Sequence, residues 1–148
     1  MKLNLGSGEA HVEGYVNIDL HTKADIKHDL TTPLPYKDNS VDEIRAIHVI
    51  EHFTRDEWEF VRKDWLRVLK PKGKMLLVCP NFPLMCQGYL DEPDNRYYLW
   101  SIFGLQAHTG EFHKNGFSFE AIVDSFPGCK VTNLRDEGNN EIHAEIIK

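Results

Sequence analysis

The chain is short of cysteine, of long apolar runs and of basic blocks, and each shortage removes a class of protein. Cys79, Cys86 and Cys129 are odd in number and show no C-x-x-C spacing. Neither a disulfide framework nor a cysteine zinc site is therefore expected, and reduced, mostly buried thiols are. No apolar stretch approaches the roughly 18 residues of a membrane span. The N-terminus enters a strand pattern at once, where a secretory leader would need a basic and then an apolar segment. A soluble, cytoplasmic protein without a membrane partner is the expectation. Lys and Arg number 17 against 23 Asp and Glu, a net charge of −6, and the basic residues form no block. That balance offers no footprint for a phosphate backbone and discourages a nucleic-acid partner. What the chain does have is 148 residues, 41% of them apolar and 11% aromatic, enough for one folded domain with a real core.

Short apolar runs alternate with helical patterns, which indicates an α/β domain. Strands are expected over Lys2–Leu5, Tyr15–Leu20, Ala24–Leu30, Val41–Ile50 and Met75–Cys79. The run from Val41 to Ile50 is too continuously apolar to leave one side in water, which places it mid-sheet. Thr54 and Glu57 have capping-box spacing ahead of the stripe Trp58, Val61, Trp65, Val68 and Leu69, so a helix follows until Pro71 and Gly73 stop it. Ser118 can cap a second helix bearing Phe119, Ile122, Val123 and Phe126. Lys130–Arg135 and Glu141–Ile147 then read as an antiparallel hairpin about Gly138-Asn139-Asn140. Residues 82–117 are aromatic but broken by prolines and glycines, which suggests a lid or binding insertion with a short helix near Asn95–Leu105.

Four constellations carry chemistry. Leu3-Asn4-Leu5-Gly6-Ser7-Gly8 is a strand running into a glycine turn, where a ligand can approach without a Cβ in its way. His11 stands where a dinucleotide fingerprint wants a third glycine, and no G-x-x-x-x-G-K-[ST] loop occurs, so a nucleoside without phosphates fits better. Asp19 and Asp29 each end an expected strand, where a carboxylate can accept ribose hydroxyls. His48-Val49-Ile50-Glu51-His52 matches the H-x-x-E-H of inverted zinc peptidases. In a strand those two histidines would stand about 13 Å apart, too far to share a metal, so no metal site is expected and zinc hydrolysis ranks third among the functions. The segment His108–Phe117 holds two histidines and an acid, and taken alone it favours a solvated loop over a pocket wall.

In this order the pieces resemble class I S-adenosylmethionine-dependent methyltransferases, especially their short members. The resembling segments are Leu3–Gly8, Gly14–Leu20, Leu34–Ile44, His48–Phe53 and Arg67–Lys74, with His113–Phe117 as a further likeness. The resemblance implies a Rossmann-like methyltransferase sheet, mostly parallel with an antiparallel C-terminal hairpin, over a single domain spanning residues 1–148. It implies S-adenosylmethionine as cofactor, with Gly6, Ser7 and Gly8 against its methionine and ribose. Asp19 with Leu20 would hold the ribose hydroxyls, Asp29 with Leu30 would meet the adenine, and His48 with Val49 would pass beneath the methionyl end. His52 and His113 are the candidate catalytic bases. The implied activity is methyl transfer to an unidentified acceptor, a small molecule or a glycan; the alternative is a non-catalytic cofactor-binding partner subunit.

Two departures from the family pattern bear on packing. The segments between the first four strands have no room for the family's helices, so the helix complement on one face is reduced, and a homodimer covering that face is expected. Lys72 stands where the family commonly has glycine.

Overall fold

The computed structural model describes residues 1–136 and 140–148. Seven strands form one sheet: β1 (Lys2–Leu5), β2 (Val16–Asp19), β3 (Ile26–Lys27), β4 (Val41–Ile47), β5 (Leu69–Pro80), β6 (Lys130–Asp136) and β7 (Glu141–Ile147). Their order is β3-β2-β1-β4-β5-β7-β6, and only β7 runs antiparallel to its neighbours. The expected Rossmann-like sheet and its C-terminal hairpin are both present, although Gly138 and Asn139 of the turn lie outside the described residues. The helices are α1 (Arg55–Val68), α2 (Phe82–Asp91), α3 (Arg96–Phe103) and α4 (Phe119–Asp124). All of them follow β4, so β1 to β4 are joined by loops alone. Among the described residues no helix is long and apolar enough to cross a membrane.

Side chains alternate across a strand, and this alternation resolves how a sheet with so few helices stays folded. Leu3, Leu5, Ile44, Ala46, Met75, Leu77, Ala144 and Ile146 point to one face and are fully or almost fully buried, packed with Trp58, Val61, Trp65 and Val68 of α1. The opposite face interleaves charged and polar residues with Ile47, Leu76, Val78 and Ile147. Glu43 and Arg45 of β4 stand in register with Lys74 and Leu76 of β5, and Lys74 and Leu76 with Ile147 and Glu145 of β7. Lys2–Glu43 (2.8 Å) and Lys74–Glu145 (3.6 Å) pair across it, and Asn4 donates to Asn17 at 2.9 Å. The expectation that both faces need apolar cover is thus corrected. The long apolar run was two elements read as one: β4 stops at Ile47, and Val49 and Ile50 are buried in the turn beyond it. Among the described residues the second face is not the bare apolar surface that was the ground for expecting a homodimer.

Loops replace helices where side chains strap them down. Arg67 on α1 donates to the carbonyls of Tyr36 (2.8 Å) and Leu34 (3.1 Å) and to Asp64 (2.8 Å), while Asp64 accepts the Leu34 N–H at 2.8 Å. Residues 31–40 are held so without a helix of their own. The helix α1 has both arms of its capping box, Glu57 N–H to Thr54 Oγ1 (3.2 Å) and Thr54 N–H to Glu57 Oε2 (2.7 Å). It ends at Val68, ahead of Pro71, because the chain turns extended at Leu69 and enters β5.

Within β5, Lys72 adopts the left-handed conformation, φ 65°, while its N–H reaches the Lys148 carbonyl at 2.8 Å. Left-handed backbone costs a non-glycine residue roughly 1–2 kcal/mol, part of which a glycine returns through its freer unfolded state. Lys72→Gly is therefore expected to stabilise the fold by about 0.5–1 kcal/mol, read as a higher midpoint in urea with an unchanged slope.

The insertion contains the expected helix at α3 but also α2, which the sequence reading passed over as irregular. Pro83 and Gly88 look like breakers there. Pro83 sits in the first turn, where its missing N–H has no partner to lose. Gly88 is where α3 crosses α2: a Cβ would come within 2.1 Å of the Tyr98 ring.

Candidate active site

The carboxyl ends of β1, β2 and β4 open onto a crevice of about 670 Å³. After β1 the chain turns at Gly6 (φ 60°) and Gly8 (φ 51°). A Cβ at Gly6 would lie 2.5 Å from Val49, so glycine alone lets the turn pack against the segment following β4. At Gly8 a Cβ would meet nothing within 4 Å; Gly8 faces the open crevice. Ser7 lies between Gly6 and Gly8. It is buried beneath the turn and its N–H fastens to the Ile18 carbonyl at 3.1 Å, so it positions the glycines and does not line the crevice.

Asp19, the last residue of β2, organises this end. Its carboxylate accepts the N–H groups of Gly8 (2.9 Å), His21 (2.7 Å) and Thr22 (2.9 Å). Burial pushes its pKa up, but those N–H groups outweigh burial and hold it below the usual carboxylate range, so it is an anion at neutral pH. Leu20 sits beside it at the rim. The expected third strand is only Ile26–Lys27, so Asp29 lies in the loop beyond it. Its Oδ1 accepts both the N–H (2.9 Å) and the hydroxyl (2.7 Å) of Thr31, which is turn chemistry, yet Asp29, Leu30 and Thr31 all line the crevice.

On the far side are His48, Val49, His52 and Phe53. His48 is not in a strand; it has φ 53° and turns the chain out of β4 toward a short 3₁₀ segment, Ile50–His52. Its Nδ1 meets Glu51 at 3.3 Å and its Nε2 meets Glu141 at 2.9 Å. Glu51 chiefly raises the His48 pKa against burial, with Glu141 adding to it. The segment expected as a solvated loop closes the crevice instead. His108, Thr109, Gly110 and Glu111 line it, and the His108 ring stands 5.6 Å from that of His21. Sequence reasoning missed His21, Phe53 and Glu57 as lining residues, because nothing local in the chain marks them.

A second cavity of about 280 Å³ adjoins, lined by Met85, Tyr97, Trp100, Leu105, His113 and Glu141, with His48 shared between the two. His113 belongs to this cavity and His52 to the first, and their rings meet edge to face at 4.8 Å. Burial lowers the His113 pKa, which keeps its imidazole neutral. Cys79 is buried beneath, its thiol pushed well up by burial and by Glu51 and Glu141, so it is no nucleophile.

Known structures share this architecture. The PH0226 protein of Pyrococcus horikoshii OT3 is 17% identical over 99% of this chain and 80% of its own, with a TM-score of 0.68. A SAM-dependent methyltransferase of Methanosarcina mazei is 19% identical over 99% of this chain and 89% of its own, TM-score 0.62. A Thermotoga maritima protein described as a possible histamine N-methyltransferase is 17% identical over 99% and 81%, TM-score 0.65. At these identities the likeness shows the fold. Residues 7–77 also match the sequence profile of a family described as "Methyltransferase domain". This match and the shared fold together support a class I S-adenosylmethionine-dependent methyltransferase. No curated protein sequence matches this chain.

The family match implies S-adenosylmethionine as cofactor, and the residues present fit it. The crevice is in the size range of small-molecule sites. It offers a side-chain-free face at Gly8 and an anionic acceptor at Asp19 for hydroxyl donors. Val49 and Phe53 give apolar surface opposite. The turn after β1 lacks the third glycine and the phosphate-loop motif, in keeping with a nucleoside that carries no phosphate.

Proposed function

We propose that this methyltransferase moves a methyl group from S-adenosylmethionine to a small acceptor held in the cavity beside α2 and α3. The observation that carries this reading is the junction of the two cavities: His48 lines both, and His52 and His113 touch across their boundary. S-adenosylmethionine, when bound, supplies an activated methyl group on a sulfonium. The chain's residues supply orientation and a water-poor path. Asp19 and the Gly6–Gly8 turn would fix the nucleoside end, and Val49 and Phe53 would exclude water at the methionyl end. On the acceptor side Tyr97, Trp100 and Leu105 give an apolar wall, with Glu141 and His113 as polar groups to orient a hydroxyl or amine. His52 and His113 stand where such an acceptor would lose its proton.

The test is formation of S-adenosylhomocysteine, read by mass spectrometry, with panels of phenols, amines and sugars. Acceptor-dependent product is expected from at least one panel, and Trp100→Ala should raise KM for that acceptor while leaving S-adenosylhomocysteine affinity unchanged. Tight cofactor binding with no acceptor-dependent product from any panel would contradict the reading and favour a non-catalytic binding subunit.

A further inference from the structure

Three side chains meet at the boundary between the two cavities: Glu51 and His52 from the 3₁₀ segment after β4, and His113 from the chain following the insertion. One ligand atom from each lies within 4.8 Å of the others. Glu51 is 1% exposed; its Oε1 faces His48, while its Oε2 has no hydrogen-bond partner among the described residues. A buried carboxylate oxygen without a donor calls for a physical explanation, and an ion is one of the few available.

The two histidines are prepared for an ion. Nδ1 of His52 stands 3.1 Å from the Phe112 carbonyl and Nδ1 of His113 stands 2.8 Å from the Ser101 carbonyl. A carbonyl only accepts, so each Nδ1 carries the proton and each Nε2 is left with its lone pair. That is the outer-shell arrangement of metal-bound histidines, whose second nitrogen donates to a carbonyl or carboxylate and fixes ring and tautomer.

We propose that Glu51, His52 and His113 form a binding site for a divalent transition-metal ion of the zinc type. Two imidazole nitrogens and one carboxylate oxygen suit Zn²⁺ or Co²⁺ and leave a coordination position open. Ligand atoms in a tetrahedral site with bonds near 2 Å stand roughly 3.3 Å apart, so modest rotations of the two rings complete the geometry. His48 is not a ligand, because both its nitrogens are engaged by Glu51 and Glu141. The site is therefore distinct from the H-x-x-E-H pairing of His48 with His52.

The role of the ion rests on the methyl-transfer reading, whereas its binding does not. Held by Glu51, His52 and His113, the ion would supply Lewis acidity to an acceptor hydroxyl at the boundary, whose proton would pass to water in place of removal by the two histidines. The oxygen lone pair would then form the new C–O bond as the C–S bond breaks, its electron pair returning to sulfur.

The experiment uses the full chain, purified without a polyhistidine tag or chelator. Metal content is measured first; the chain is then stripped and titrated with Zn²⁺ by calorimetry and with Co²⁺ by visible absorption. Near one ion per chain is expected, with affinity falling at least a hundredfold in Glu51→Gln and in His113→Asn while S-adenosylhomocysteine affinity and far-ultraviolet circular dichroism stay unchanged. If Glu51→Gln does not fold, His113→Asn decides with the Co²⁺ spectrum. No saturable binding of either ion, or binding that survives His113→Asn, overturns the site. Retained S-adenosylhomocysteine binding in either case leaves the cofactor crevice standing, so the two readings fail separately.

Discussion

Asp19→Asn is expected to lower S-adenosylhomocysteine affinity by about tenfold to a hundredfold, the effect of weakening hydrogen bonds to a charged acceptor by about 1.5–3 kcal/mol. The same carboxylate joins three segments, through Gly8, His21 and Thr22. The variant should therefore also be less stable, and the loss has a pH signature. The folded-state pKa of Asp19 lies below its unfolded value, so its contribution is fully present above about pH 4 and disappears as pH falls through the folded-state value. Urea unfolding of both proteins at pH 7 and near pH 3 should show the gap between them narrowing in acid. A gap that is constant with pH would mean that the charge of Asp19 does not hold this turn.

Trp65→Ala is expected to cost about 3–5 kcal/mol, enough to bring a domain of ordinary stability to the edge of folding. Trp65 has no exposed surface and stacks edge to face with Trp58 at 5.9 Å and Phe53 at 6.2 Å. The main core lies on this one face of the sheet, packed against α1, so a cavity here falls in the layer that carries most of the apolar burial. Trp65→Phe should cost much less. The indole N–H has no partner among the described residues, so removing it relieves a buried donor while most of the apolar volume stays. Similar losses from the two variants would show that volume at this position matters less than shape.

Local signals carried far along this chain. The capping box at Thr54 and Glu57, the stripe through Trp58, Val61, Trp65 and Val68, and the alternation of β7 were legible because each rests on neighbours in sequence. The resemblance supplied the mostly parallel sheet with its antiparallel hairpin, and the expectation that Gly6, Gly8, Asp19 and Val49 face one ligand; the strand order and the crevice came from the structure. What stayed hidden depends on tertiary contact. Gly88 reads as a breaker until Tyr98 is seen against it. The more polar face of the sheet is invisible while β4 and the turn after it are taken as one apolar run. Nothing in local sequence brings His113 to His52, or His108 to His21. Asp29 shows the reverse case, where a strand-end acid proved to be bound into its own turn by Thr31.

Titration of the ¹⁵N-labelled chain with S-adenosylhomocysteine, followed through its backbone amide resonances, tests the central claim most directly. One saturable site is expected, with the largest shifts at Gly6, Gly8, Asp19, Leu30 and Val49 and little change along β6 and β7. No saturable shift, or shifts centred on α2 and α3 with the Gly6–Gly8 turn unmoved, would contradict the placement of the cofactor in this crevice.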